Sequence, residues 1–228
     1  MSNYDWSFKF IPKVSIAIEI GSRDLLDANT IQKQYNCKVY SFECNPDSLI
    51  ECKKNLNNEN ITLVEKAVSQ TDGFITFYPF DLNKYDNMGA SSMFEIDFSN
   101  RSIYDGDYGK SNVQKVTQVP SIRLDTFCKE NNIIPDAIFM DVQEAELEVL
   151  KSASSSLLKN VKFIVTEVAT NPTYKGGCDI IDIHSFLEKE GFELVSHPVS
   201  CIERTKYYTY KDLVYQNTMF TETHGTGV

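Results

Sequence analysis

The chain has 228 residues, 42% hydrophobic and 24% charged, a composition that suits one well-buried globular domain spanning residues 1–228 and is short for two. A formal net charge of −10 sets a mostly repulsive field against nucleic acid, so the expected partner is a small-molecule or glycan ligand. No segment has the apolar length of a membrane-spanning helix and the first residues lack a basic-then-apolar leader, so no membrane association and a cytoplasmic location are expected.

Cys37, Cys44, Cys52, Cys128, Cys178 and Cys201 form no C-x-x-C pair and stand near no histidine cluster, which predicts reduced, buried fillers rather than zinc ligands or disulfides. The sequons at Asn60 and Asn100 carry no weight without secretion. Nothing in the sequence fixes an oligomeric state.

In chain order, the apolar run Val14, Ile16, Ala17, Ile18 and Ile20 predicts a buried strand that stops at Gly21-Ser22-Arg23-Asp24. Residues 24–35 carry Leu25, Ala28, Ile31 and Tyr35 at helical spacing, with Asp24 or Ser22 as cap. A second strand at 38–42 ends at Glu43-Cys44, and Asn45-Pro46 opens a helix as N-cap and first residue. Residues 61–64 predict a third strand, continued by Ala67-Val68-Ser69 to a turn at Asp72-Gly73. Strands alternating with helices in this way imply a mostly parallel sheet with helices on both faces, an α/β fold with right-handed crossovers.

After a short strand at 74–78, the pattern fails from Phe80 to Asn112. A connection that long is functional or disordered. Met93, Phe94, Ile96 and Phe98 are too apolar for a solvated linker, which favours a substrate-facing flap. The pattern resumes with a strand at 113–119, a helix at 124–129, a strand at 137–140 ending at Asp141, and a helix at 143–153. A fifth major strand at 161–165 ends at Thr166-Glu167. A helix at 179–190 is stopped by Gly191, and strands at 192–195 and 213–215 close the sheet as a hairpin.

The first turn narrows the cofactor. A dinucleotide turn needs three glycines, because bare backbone N–H groups hold the pyrophosphate; here Gly21 has no glycine after it until Gly73. The acid at the end of the second strand is present as Glu43, suited to ribose hydroxyls. One glycine and one ribose carboxylate suggest a nucleoside without a pyrophosphate. S-adenosylmethionine is such a ligand, and Glu19 is placed to meet its ammonium. The candidate cofactor residues are Glu19, Gly21, Ser22, Arg23, Asp24, Glu43, Cys44, Asn45, Ala67 and Asp141.

Six motifs sharpen this reading. Ile18-Glu19-Ile20-Gly21, Phe42-Glu43-Cys44-Asn45-Pro46, Ala67-Val68-Ser69, Gly89-Ala90-Ser91-Ser92-Met93, Leu124-Asp125-Thr126-Phe127 and the run from Met140 through Asp141-Val142-Gln143-Glu144 to Lys151 stand in an order that resembles the FkbM family of S-adenosylmethionine-dependent methyltransferases. The resemblance covers roughly Ile16 to Phe192. It implies a Rossmann-like class I methyltransferase domain with a seven-stranded sheet, its last strand antiparallel, and O-methylation of a hydroxyl on a sugar or other small molecule. The chain departs from the family pattern twice: Leu25 and Glu144 stand where glycines are usual, and Gln143 replaces a glutamate.

Methyl transfer from a sulfonium needs an oriented acceptor and a route for its proton. Asp141, at the sheet's C-terminal edge, and Glu167 are the candidate catalytic acids; with Asn171 they form an oxygen set that Mg²⁺ could use. Ser91, Ser92, Gln143 and Glu144 are candidate substrate contacts. His184 falls in an apolar stripe and is expected to pack, while His197 and His224 receive no role. The competing readings are a non-catalytic methyltransferase-like module that binds cofactor or glycan, and an NAD-dependent oxidoreductase, which the missing glycines disfavour.

Overall fold

The computed structural model describes residues 3–84, 88–97, 113–205 and 209–221. Phe98, the sequon at Asn100 and His224 lie outside them, as does part of the segment expected to form a flap. In chain order the elements are β1 (Ile16–Ile20), α1 (Leu26–Tyr35), β2 (Lys38–Phe42), α2 (Pro46–Asn55), β3 (Ile61–Val64), β4 (Ala67–Val68), β5 (Gly73–Phe77), β6 (Thr117–Ile122), α3 (Leu124–Asn131), β7 (Ala137–Met140), α4 (Glu146–Ser152), α5 (Ser155–Leu158), β8 (Phe163–Ala169), α6 (Ile180–Lys189), β9 (Phe192–Leu194) and β10 (Tyr210–Asn217).

Seven strands form one sheet in the order β3-β2-β1-β7-β8-β10-β9. The strands from β3 to β8 run parallel, and β10 runs antiparallel to both β8 and β9. Alternation along each strand builds two cores. Ala17, Val39, Ala137, Phe139 and Val165 join Ala28 and Ile31 of α1 and Cys52 of α2 on one face. Ile18, Ile20, Tyr40, Phe42, Ile138, Met140 and Ile164 join Phe127 of α3, Val149 and Leu150 of α4 and Ile183 and Leu187 of α6 on the other. Both faces are covered, so these strands are nearly continuous apolar runs, and each fully buried isoleucine contributes about 1.5–3 kcal/mol.

Helix ends follow local chemistry. Asn45 accepts from the Asp47 N–H at 3.1 Å, with Pro46 in the first turn of α2. Asp179 and Asp182 cap α6 reciprocally, and Gly191 at φ 90° ends it.

Several boundaries differ from the sequence expectation, and those that bear on the site are these. Ala67–Val68 does not continue β3 but enters a second sheet, β4-β6-β5, whose core is Ala67, Phe77 and Val119 with Met93 against them. The strand expected at 113–119 is shifted to Thr117–Ile122, where β5 and β4 supply partners. Helix α4 starts at Glu146 because Gln143 and Glu144 take left-handed backbone angles, φ 53° and 69°. β8 continues to Ala169 because β10 begins at Tyr210 and pairs along it, so Glu167 lies within the strand, opposite Asp212.

Candidate active site

Strand order reverses between β1 and β7, and open α/β sheets bind ligands in the crevice at the carboxyl ends of such strands. A narrow cavity of about 70 Å³ opens there. Its wall takes Gly21 and Arg23 from the turn after β1, Glu43 and Asn45 from the end of β2, Ala67 from β4 and Asp141 from the end of β7. Apolar surface comes from Phe42, Val68, Phe77, Met88 and Met93.

Gly21 is required by packing. At φ 91° a side chain is already strained, and a Cβ here would collide with the Asp141 main-chain carbonyl. The turn therefore closes directly onto the end of β7. Its N–H groups are already used: those of Gly21 and Ser22 both donate to the Phe42 carbonyl, at 3.0 and 3.1 Å.

Glu43 is 8% exposed and accepts three backbone hydrogen bonds, from Arg23 N at 2.7 Å through Oε2 and from Cys44 N and Asn45 N at 2.7 and 2.8 Å through Oε1. Burial raises its pKa against the pull of those three donors. A carboxylate offers about four in-plane acceptor positions, so Oε2 keeps one open for a ligand hydroxyl while Oε1 is filled. The sequence expectation that Glu43 takes both ribose hydroxyls thus narrows to one vacant position.

The structure separates the remaining cofactor candidates. Cys44 lines the cavity. Glu19, 1% exposed, does not: it lies within β1 under the Gly21 turn, its carboxyl accepts from Ser41 Oγ, and burial pushes its pKa up to about 8. Ser22 is buried and also off the wall. Asp24 serves α1, its Oδ1 accepting from Leu26 N at 3.1 Å, and its Oδ2 pairs with the Arg23 guanidinium at 3.2 Å.

On the far side of Asp141 lies the acid pair. Gln143 Nε2 donates to Asp141 Oδ1 at 2.7 Å and to Glu167 Oε2 at 3.1 Å. Burial and the Asp141 charge raise Glu167 to about 9, and burial raises Asp141 as well, so the pair retains a proton at neutral pH. Glu146 and Asp212 were not foreseen. Glu146 accepts from Val142 N at 3.0 Å and burial raises it to about 8; Asp212 faces Glu167 across the β8–β10 ladder. Lys66 and Met88 were also absent from the expected site; Met88 and Met93 reach the wall on the segment that Ser92 pairs with Tyr78.

The donors fit Mg²⁺ poorly. Asp141 and Glu167 hydrogen-bond to each other and both accept from the Gln143 amide, Asn171 hydrogen-bonds to neither, and no cluster of three or more His, Cys, Asp or Glu suited to a metal occurs among the described residues.

The substrate candidates divide too. Ser91 Oγ accepts from Asn45 Nδ2 at 3.2 Å and from Phe80 N at 3.1 Å, and lines the cavity. Ser92, 1% exposed, donates to the Gln143 carbonyl at 2.9 Å. Glu144 points inward, 2% exposed. Its carboxylate accepts from the Thr173 N–H and hydroxyl at 2.8 Å and from Tyr174 N at 2.9 Å, so it fastens the loop after β8 rather than facing an acceptor. His184 packs beside Tyr215, its Nδ1 3.2 Å from the phenol oxygen.

This strand order with β10 reversed, and a cavity at the β1/β7 switch point with an acid after β2, is the arrangement of a Rossmann-like methyltransferase. The chain belongs to the FkbM methyltransferase domain family, whose model matches residues 19–194, and it is an S-adenosylmethionine-dependent methyltransferase. It is 28% identical over 188 residues to the 2-O-methyltransferase NoeI of Sinorhizobium fredii, covering 79% of this chain and 73% of that protein. Among solved structures it is similar to methyltransferase FkbM from Methylobacillus flagellatus KT, with 13% identity, TM-score 0.49, and 90% of this chain matched to 43% of that one. It is also similar to the magnesium protoporphyrin IX methyltransferase of Synechocystis PCC 6803 with bound S-adenosylmethionine, with 10% identity, TM-score 0.47, and 93% of this chain matched to 74% of that one.

Proposed function

We propose that this chain transfers the S-adenosylmethionine methyl group to a hydroxyl of a sugar or other small molecule. The observation that carries the proposal is the carboxyl of Asp141, which stands in the cavity wall and is held from behind by Gln143. The relationship to a 2-O-methyltransferase supports a hydroxyl acceptor. Glu43 Oε2 receives one ribose hydroxyl, and the apolar wall of Phe42, Val68, Phe77 and Met93 receives the adenine. The methionine ammonium needs acceptors, which the carbonyls of the Gly21 turn provide, and Arg23 meets the methionine carboxylate. Residues 88–93, with Ser91 and Met93 facing the cavity, act as the roof of a substrate-facing flap.

The acceptor oxygen attacks the methyl carbon in line with the carbon–sulfur bond. That bond breaks as the new one forms, its electron pair returns to sulfur, and S-adenosylhomocysteine leaves. Asp141 takes the hydroxyl proton, with Glu167 in its protonated form stabilising the pair. Mg²⁺ is not used in this scheme. Among the described residues no helix is long and apolar enough to cross a membrane. All six cysteines are free, which supports a reducing, cytoplasmic setting.

The test is transfer of labelled methyl from S-adenosylmethionine to a panel of neutral mono- and oligosaccharides, followed by alkali treatment. An alkali-stable label marks an O-methyl ether and supports the proposal; an alkali-labile ester, or methyl on amines alone, contradicts it.

A further inference from the structure

Asp141 and Glu167 hydrogen-bond to each other, and the side-chain amide of Gln143 stands against both carboxyls on the side from which a divalent cation would bridge them. Both hydrogens of Gln143 Nε2 are used, one on Asp141 Oδ1 at 2.7 Å and one on Glu167 Oε2 at 3.1 Å. An N–H group at those distances stands in the volume a magnesium ion would need, since the ion brings its oxygen ligands to about 2.0–2.1 Å. No lysine or arginine forms an ion pair with Asp141 or Glu167 among the described residues; the Arg23 charge acts on Asp141 from across the cavity wall, and the amide is the group that touches both carboxyls.

The backbone is built to hold that amide there. Gln143 and Glu144 both take left-handed angles, φ 53° and 69°, which non-glycine residues adopt only against steric strain. The bend returns the Gln143 side chain to the residue two positions before it. It is pinned from two sides. Ser92 Oγ holds the Gln143 carbonyl at 2.9 Å, and Glu144 is fixed through its carboxylate to Thr173 and Tyr174 and through its carbonyl to Cys178 N at 3.0 Å. Ser92 belongs to the roof segment that also places Ser91 and Met93 in the cavity wall, so the amide connects the acid pair to the roof.

We propose that Gln143 is a positioning residue that replaces a divalent cation between Asp141 and Glu167, fixing the proton-accepting carboxyl beside the cofactor without a metal. The proposal rests on Asp141 being the acceptor-side acid. Its test reads cation binding directly, so a wrong acceptor and a wrong role for Gln143 give different results.

The experiment titrates Mn²⁺ into the full chain and follows the electron paramagnetic resonance of the free ion, for wild type, Gln143→Glu and Gln143→Ala, with S-adenosylhomocysteine affinity measured on each as a check of folding. The expected result is no Mn²⁺ binding by wild type and at least roughly tenfold tighter binding by Gln143→Glu, which adds a third carboxyl to the pair. All three proteins should hold S-adenosylhomocysteine within about twofold. Once an acceptor is in hand, Gln143→Ala should lower kcat by about ten- to a hundredfold with the KM for S-adenosylmethionine unchanged, and chelator should leave the wild-type rate intact. Wild-type protein that binds Mn²⁺ and loses it in Asp141→Asn would overturn the proposal. So would a folded Gln143→Glu protein that gains no cation affinity, or a wild-type rate abolished by chelator.

Discussion

Glu144 and Gly177 occupy one shared space: a Cβ on Gly177 would press on Glu144 Oε2 and lie 2.9 Å from Glu144 Cβ. The glutamate stands where the family pattern has glycine, and the glycine stands where the glutamate needs room. Gly177→Ala should therefore destabilise the protein by about 1–3 kcal/mol, the usual scale of overpacking. The same change in a Glu144→Gly background should cost clearly less. A double-mutant cycle in urea reads the difference; additive effects would show that the two positions do not share a space.

Leu25 is the second departure from a family glycine, left-handed at φ 69° and fully buried beside Ala28 and Ile31. Leu25→Gly relieves about 1–2 kcal/mol of backbone strain but deletes a buried side chain, a loss of about 2–5 kcal/mol. Packing wins, so the variant should be less stable by about 1–3 kcal/mol in chemical denaturation.

Stability should depend on pH through groups that act in opposite directions. Glu19, raised from 4.5 to about 8 chiefly by burial, binds more protons folded than unfolded, so its contribution is complete below about 4.5 and is lost as pH rises toward 8. Cofactor-free protein should lose melting temperature over that interval, and Glu19→Gln should flatten the loss while leaving the Ser41 hydroxyl an acceptor.

At the other end of the sheet, Asp136 accepts from Ser15 N at 2.7 Å and pairs with Lys162 at 2.8 Å. Against the upward push of burial, these partners hold it below 3.8, so its contribution is present above that pH and is lost as pH falls through the folded value. Lys162→Ala should shrink the acid-side loss of melting temperature and leave the alkaline side unchanged.

Much of the fold was legible because local pattern and final environment agree. The apolar runs at β1, β2, β3 and β7, the Asn45-Pro46 start of α2 and the Gly191 stop of α6 are all where the residues alone place them. Cavity residues Gly21, Glu43, Asn45, Ala67 and Asp141 followed from strand ends. What depended on long-range pairing was hidden. The second sheet takes Ala67–Val68 away from β3, and the register of β10 carries β8 past Glu167 and sets Asp212 opposite it. Glu144 was misplaced as a substrate contact because its partners, Thr173 and Tyr174, arrive from a distant loop.

The most direct test of the central claim is calorimetric titration of S-adenosylmethionine into the wild-type chain and into Glu43→Ala. The account predicts one site in the wild type and a weakening of about 1.5–3 kcal/mol, roughly ten- to a hundredfold, in the variant, the scale for a hydrogen bond to a charged group. Absence of binding by the wild type, or equal affinity in the two proteins, would contradict the placement of the methyl donor at the end of β2.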